Sequence, residues 1–224
     1  MAADFDRYGE TYEAAVDSAI AFAGQEHDFY IEAKARRLLE LVLRHLGSTR
    51  PRALDVGCGV GLVDRHLSSA FELHGVDVSP AMVERARAAN PGVEYAVSES
   101  RSLPHDDGAF DLAFAVCVLH HVEPADRLPL LGEMRRVARP GGLVAVFEHN
   151  PLNPLTRRVV RNCAFDEGVE LIGRRELERL YRSAGLDVVG AEYLLFFPWR
   201  ADALERAIRR LPFGAQYVVA GRRA

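Results

Sequence analysis

The chain has 224 residues, of which 49% are hydrophobic and 27% are charged, and its formal net charge is −4. This composition predicts one compact unit with a full-sized core, and the lack of a basic tail or long basic run disfavours nucleic acid as a partner. No apolar run reaches the roughly 20 residues of a bilayer span, so we expect no integral membrane association. Three widely spaced cysteines without a CxxC pair disfavour disulfides and a cysteine zinc site, and they favour the cytoplasm.

Helical periodicity comes first along the chain. Residues 10–22 and 27–46 show apolar residues at helical spacing, and we predict an N-terminal helical cap over residues 1–47. From residue 48 onward, strands alternate with helices. The strands are predicted at 52–56, 73–78, 93–97, 110–118, 143–147, 186–196 and 215–220, and the helices between them at 61–70, 80–89, 124–137, 155–163, 174–184 and 200–210.

This alternation predicts an α/β fold with a doubly wound, mostly parallel sheet. A short helix and Leu211-Pro212 separate the last two strands, which is compatible with an antiparallel final hairpin at the sheet edge. Residues 149–172 interrupt the rhythm and form a predicted insertion on the substrate side. We treat residues 48–224 as one compact domain, since no linker composition divides them.

A glycine-rich turn follows the first of these strands. Residues 54–61 read Leu-Asp-Val-Gly-Cys-Gly-Val-Gly, and a strand that ends in such a turn and opens a helix is typical of nucleotide-cofactor sites. The dinucleotide fingerprint Gly-x-Gly-x-x-Gly is not met, because Leu62 stands at its third glycine. Asp55 precedes the turn, where a pyrophosphate would disfavour an acid and a cofactor with a cationic amino-acid end would favour one. A nicotinamide-dependent oxidoreductase is therefore the weaker alternative.

A second acid closes the next strand. Asp77 lies 20 residues after Gly57, where a carboxylate can accept both hydroxyls of a ribose. A 2′-phosphate is disfavoured at such a site. Ser79-Pro80 then predicts a helix start, with serine as the N-cap and proline at the first helical position.

Five ordered stretches resemble the class I S-adenosylmethionine-dependent methyltransferases, in the broad group that includes ubiquinone/menaquinone-biosynthesis methyltransferases. They are residues 54–61, 75–82, 102–104 with 110–111, 118–121 and 136–142. The resemblance implies a Rossmann-like doubly wound seven-stranded sheet, mostly parallel with an antiparallel last strand, and an N-terminal helical lid. It also implies S-adenosylmethionine as cofactor, S-adenosylhomocysteine as product and a small organic molecule as substrate.

The resemblance implies roles for individual residues around the cofactor. The main chain of the glycines would lie against the methionine and ribose portions of the cofactor. Asp55 would bind the methionyl ammonium, and Asp77 would bind the two ribose hydroxyls. The complete set of cofactor-binding residues that it implies is Tyr12 (or Tyr8), Asp55, Gly57, Gly59, Gly61, Asp77, Val78, Met82, Glu99, Ser100, Val116 and Cys117. Here Val78 and Met82 would adjoin the adenine, and Glu99-Ser100 replaces the Asp-Ala pair that is frequent in the family.

The substrate side offers candidates at the ends of two strands. Ligands bind beyond the carboxyl ends of strands in open α/β sheets, which places His121, Glu148 and His149 as the candidate catalytic residues. No recognised metal-ligand spacing occurs there, so we expect no metal. An oxygen or carbon acceptor is favoured, and nitrogen is possible. A protein that binds S-adenosylmethionine without transferring methyl, for other chemistry or regulation, stays open, as does the oligomeric state.

Overall fold

The computed structural model describes residues 27–48, 50–197 and 199–224. Most of the predicted N-terminal cap, including Tyr8 and Tyr12, therefore lies outside the described residues. The described part of the cap is helix α1 (His27–His45), whose buried apolar residues recur at helical spacing and pack against one face of the sheet. None of the described helices is both long and apolar enough to cross a bilayer.

Seven strands of the described chain form one sheet, as the sequence predicts. They are β1 (Arg52–Val56), β2 (Glu72–Asp77), β3 (Glu94–Val97), β4 (Phe110–Val116), β5 (Ala138–His149), β6 (Leu186–Leu194) and β7 (Gln216–Arg223). Their spatial order is β3-β2-β1-β4-β5-β7-β6, and β7 runs antiparallel to both of its neighbours. The predicted Rossmann-like sheet with an antiparallel last strand is confirmed.

Helices cover both faces of the sheet. They are α2 (Asp64–Leu67), α3 (Pro80–Ala89), α4 (Pro124–Val137), α5 (Pro154–Asn162), α6 (Arg174–Ser183) and α7 (Asp202–Ile208). One apolar core joins α1 and α3 to the sheet, and a second core on the other face joins α4 and α6 to it. The hydroxyl of Ser79 accepts a hydrogen bond from the Met82 N–H at 3.2 Å, which is the N-cap that the Ser-Pro pair predicts.

Two elements, α2 and β5, differ most from the sequence prediction. Helix α2 has four residues, whereas the prediction spanned 61–70. Strand β5 begins five residues before position 143, because the Pro-Gly-Gly run forms an irregularity within the strand and not a turn before it: Phe110 pairs with Ala138, and regular pairing resumes at Leu143. Strand β7 lies between β5 and β6, so the last two strands form an antiparallel pair at the sheet edge, as predicted, with β6 outermost.

Candidate functional site

A large cavity lies where the strand order reverses. β1 pairs with both β2 and β4, so the chain winds outward in two directions from this point. The cavity measures about 670 Å³ and is lined by residues at the carboxyl ends of these strands, among them Val56, Asp77, Val116 and His149. Open α/β sheets bind ligands at such a switch point, and the volume lies in the range of small-molecule sites.

The glycine turn forms one wall of this cavity. The N–H groups of Gly57 and Cys58 both donate to the Val76 carbonyl, at 2.8 and 3.0 Å, which ties the turn to β2. Gly57 has φ +76°, and a Cβ there would lie 2.7 Å from the Val118 side chain. Gly59 has φ +53°, and a Cβ there would enter open space. The turn thus keeps its main chain accessible to a ligand, as predicted.

Gly61, the third glycine predicted to adjoin the cofactor, lies behind the turn. It is not among the residues that line the cavity. A Cβ at this position would lie 2.4 Å from Asn90 Nδ2 and 2.8 Å from the Tyr95 hydroxyl oxygen. Asn90 donates a hydrogen bond to the Gly61 carbonyl at 3.1 Å. Gly61 therefore permits close packing of the turn against α3 and β3. The other two glycines of the turn, Gly57 and Gly59, line the cavity.

Asp77 joins the turn to the next helix. One carboxylate oxygen accepts from the Gly59 N–H and the other from the Ser79 N–H, both at 2.9 Å. Each oxygen of an ionised carboxylate has a second lone pair, and Asp77 lines the cavity. The side chain is thus held in one orientation with acceptor capacity toward the cavity, which fits a ribose diol.

Asp55 lies beneath the turn with an unsatisfied acceptor. It is 3% exposed, it lines the cavity, and its Oδ1 has no hydrogen-bond partner among the described residues. Burial raises the pKa of Asp55 well above its usual range, and the neighbouring Asp64 and Asp77 raise it further. Burial also raises the pKa of Asp64 to about 6, although Tyr95 donates to its carboxylate at 2.6 Å. A buried acid pair with an unsatisfied oxygen fits a cationic ammonium group.

The adenine side predicted from the sequence lies along the same cavity. Val78, Met82, Glu99 and Ser100 all line it. Met82 is 1% exposed and Val78 is 50% exposed, so the first belongs to the packed floor and the second to the open rim. Sequence reasoning missed the apolar side chains of Leu103 and Leu130, which also line the cavity.

The end of β4 supplies the two residues predicted next to the methionine chain. Val116 and Cys117 both line the cavity. Cys117 has φ +59°, a conformation that non-glycine residues adopt rarely and that often marks functional sites. Burial raises the pKa of its thiol, which makes it a packing residue and not a nucleophile.

A polar cluster forms the opposite end of the cavity. Glu148 is fully buried: one carboxylate oxygen accepts from the Leu119 N–H and the other from His120 Nδ1, both at 2.7 Å. Burial lowers the pKa of His120, but Glu148 and Asp166 outweigh it and raise that pKa to about 10. Glu148 does not line the cavity. The sequence placed it in contact with substrate, and the structure places it behind His120, because the end of β5 turns this side chain into the protein.

His121 and His149 both line the cavity, as predicted. His121 Nε2 lies 3.2 Å from Asp166 Oδ1. Burial lowers the pKa of His121, and the hydrogen bond with Asp166 opposes this. His149 Nδ1 lies 3.4 Å from Gln216 Nε2, and burial lowers the pKa of His149 to about 4. Both imidazoles are therefore neutral near pH 7.

Asp166 was not predicted as a site residue. It ends a short 3-10 turn (Ala164–Asp166) within the insertion, and it lines the cavity. Burial raises its pKa, but the close imidazoles of His120 and His121 outweigh burial and hold the pKa well below its usual range. Single-sequence reasoning had no signal for this contact, since 45 residues separate it from His121. Gln216, at the start of β7, and Lys34, in α1, were missed for the same reason.

Side chains that could hold a metal occur in this cluster. Ligand atoms of His120, His121 and Asp166 lie within 4.8 Å of one another. Both imidazoles already contact Asp166, and Glu148 holds a proton on His120. The three side chains are thus already in polar contact with one another or with Glu148.

Comparison with known proteins agrees with this geometry. Residues 54–146 match the model of a methyltransferase domain. The chain is 33% identical over 133 residues to a malonyl-[acyl-carrier protein] O-methyltransferase of Pseudescherichia vulneris, covering 58% of this chain and 52% of that protein. It is 32% identical over 130 residues to ajmaline N-methyltransferase of Rauvolfia serpentina, covering 50% of this chain and 44% of that one. The chain thus spans about half the length of these curated relatives.

A solved structure resembles the whole described fold. A Thermotoga maritima S-adenosylmethionine-dependent methyltransferase, described as a possible histamine N-methyltransferase, superposes with a TM-score of 0.70 at 24% identity and covers 98% of both chains. At this identity the likeness concerns the fold. The match over residues 54–146, together with the glycine turn and its two acids, supports a methyltransferase domain of the class I type that takes S-adenosylmethionine as cofactor.

Proposed function

We propose that this protein transfers a methyl group from S-adenosylmethionine to an oxygen or carbon atom of a small organic molecule. S-adenosylmethionine supplies a methyl group activated by its sulfonium. The cavity has room for a cofactor and an acceptor side by side, and its two ends differ in chemistry. The glycine turn, Asp55 and Asp77 would hold the cofactor, and the histidine cluster would face the acceptor.

The contact between His121 and Asp166 is the observation that favours an oxygen or carbon acceptor. A hydroxyl or a carbon acid must lose a proton as the new bond forms, and a positioned base accelerates such a step. His121 is neutral near pH 7, lines the cavity and contacts the Asp166 carboxylate through Nε2. Asp166 would orient the ring and stabilise the imidazolium that forms when His121 accepts the proton.

The other candidates have supporting roles in this proposal. His149 also faces the cavity and would contact the acceptor through its neutral ring. Glu148 is a positioning residue, because it holds His120 in place through the 2.7 Å bond to Nδ1. The predicted tyrosine over the methyl group, Tyr12 or Tyr8, stays a prediction, since it lies outside the described residues. Nucleic acid is not expected as a partner.

A nitrogen acceptor is the second candidate. The similarity to ajmaline N-methyltransferase favours it, and an amine that arrives unprotonated needs no base. The dependence of turnover on His121 separates the two, because an amine acceptor would lose little when this imidazole is removed.

Calorimetry with S-adenosylmethionine and S-adenosylhomocysteine tests the cofactor assignment, and the folded protein should bind both. Binding of neither, together with fluorescence transfer from bound NADH, would support an oxidoreductase instead. Conversion of S-adenosylmethionine to S-adenosylhomocysteine across a panel of phenols, carboxylic acids, carbon acids and amines then tests transfer. Cofactor binding without turnover on any of these would favour a binding or regulatory protein.

A further inference from the structure

Helix α1 carries a lysine on the face that it turns toward the sheet. Lys34 is the only lysine of the chain. It lies between Ile31 and Leu38 on the buried side of the helix, where the apolar pattern calls for a core residue. Its side chain is 6% exposed and lines the cavity. Lysine is almost never fully buried without a partner, so this position requires a physical account.

The ammonium of Lys34 forms no hydrogen bond or ion pair with any described residue. An unpaired charge in such a place opposes folding, and an anion in contact with it offsets that cost. The chain has 28 lysine and arginine residues, and among the described residues that line the cavity Lys34 is the only one of either type. The cavity therefore contains one basic side chain that is available to an anion.

Helix α1, which carries Lys34, contacts β5, the strand whose last residue is His149. Burial and His120 lower the pKa of His149, and Lys34 adds to this effect. By contrast, the charges that act on Asp55, under the glycine turn, are those of Asp64 and Asp77. Lys34 therefore belongs to the side where the acceptor would lie.

We propose that Lys34 binds a carboxylate of the acceptor, so that the substrate is a small organic acid with an apolar body. This inference rests on the proposed function. The apolar body would pack against Leu155, Val159, Phe196 and Phe197, which line the same cavity. The contact between ammonium and carboxylate is a charge-assisted hydrogen bond, and the low local dielectric strengthens it. It would hold the acceptor in one orientation relative to His121.

The first arm of the test measures anion recognition directly. Matched carboxylate and amide pairs (benzoate with benzamide, 4-hydroxybenzoate with 4-hydroxybenzamide, hexanoate with hexanamide) are titrated into protein saturated with S-adenosylhomocysteine. At least one carboxylate should bind the wild type at least tenfold more tightly than its amide. Lys34→Met should abolish this preference, and Lys34→Arg should retain part of it. Arg36→Met is the matched control, because Arg36 lies in the same helix outside the cavity, and it should leave the preference unchanged.

The second arm distinguishes the acceptor from the cofactor, whose methionyl end also carries a carboxylate. S-adenosylhomocysteine has this group and 5′-methylthioadenosine lacks it. Lys34→Met should leave the affinity for both nearly unchanged. A tenfold loss for S-adenosylhomocysteine alone would assign Lys34 to the cofactor and overturn the acceptor assignment.

Two further outcomes complete the test. Because Lys34→Met removes an unpaired buried charge, the free variant should melt at a higher temperature than the wild type, and a lower melting temperature would show that the lysine stabilises the fold. No preference for any carboxylate in the wild type, or a preference that survives in Lys34→Met, would also overturn the inference. Failure of the wild type to bind S-adenosylhomocysteine would instead overturn the proposed function, which is a separate result.

Discussion

The two ends of the cavity are built in different ways. At the proposed cofactor end, the glycine turn and the two acids come from the short stretch between Asp55 and Ser79. The acceptor end consists of side chains that arrive from α1, from the ends of β4 and β5, from the insertion and from the start of β7. A main-chain site survives changes in neighbouring side chains, whereas a side-chain site changes with each substitution. Such a division lets one scaffold keep its cofactor while its substrate varies.

The largest effect should come from the acceptor end. His121→Asn removes the proposed base, and kcat/KM with a hydroxyl or carbon-acid acceptor should fall by about 10²–10⁴-fold. The affinity for S-adenosylhomocysteine, measured by calorimetry, should stay the same, because His121 belongs to the other end. A parallel loss of cofactor affinity would show that the two ends are not independent.

The buried pair behind the cluster should matter for stability. Glu148→Gln leaves His120 without its carboxylate, and breaking a buried pair costs about 3–5 kcal/mol. Because the folded pKa of His120 lies near 10, above its usual 6.5, its contribution is complete below pH 6.5 and is lost as the pH rises through 10. Urea unfolding should therefore show a larger deficit at pH 6 than at pH 9. An equal deficit at both values would contradict a charged pair.

Loss of the Asp77 carboxylate at the cofactor end should weaken cofactor binding. Asp77→Ala removes the acceptor of the ribose hydroxyls and the link between the turn and α3. Two charge-assisted hydrogen bonds correspond to roughly 3 kcal/mol, or about a hundredfold in the affinity for S-adenosylhomocysteine. Arg157→Ala, in α5, is the control and should leave calorimetric affinity within twofold. Similar losses of affinity in both variants would contradict the assignment of Asp77 to the ribose hydroxyls.

The smallest effect should be a shift in the pH profile. The bond with Asp166 raises the pKa of His121 against the effect of burial. Asp166→Asn should therefore lower this pKa, and the acid limb of kcat/KM should move to lower pH while the plateau rate falls. An acid limb that stays in place would show that another group acts as the base.

The residues proposed for the cofactor end could be located in the sequence because their determinants are local. The Gly-x-Gly-x-Gly turn, Asp55 and Asp77 lie on consecutive strands, and neighbouring parallel strands bring their carboxyl ends to one sheet edge. Gly61 was predicted with the other two glycines but does not line the cavity, because a glycine with positive φ can serve a close packing contact as well as a ligand contact. The mostly parallel sheet with an antiparallel final pair at its edge followed from the strand-helix alternation.

The acceptor end was only partly predictable, since its contacts are long-range. The histidines after β4 and Glu148-His149 after β5 could be located, but the direction in which Glu148 points depends on the packing of His120. Asp166 and Gln216 have no local pattern that marks them. Lys34 did carry a usable signal, because a lysine three residues after Ile31 and four before Leu38 interrupts an apolar helix face.

The position of β7 also determines the order in which the sheet can be completed. β6 pairs only with β7 within the sheet, and β7 in turn pairs with β5. Residues 186–194 therefore have no strand to pair with until residues 216–223 have been synthesised. The same event brings Gln216 beside His149. Strand pairing over such sequence separations is slow, so we expect the acceptor pocket to be among the last parts of this protein to form during folding.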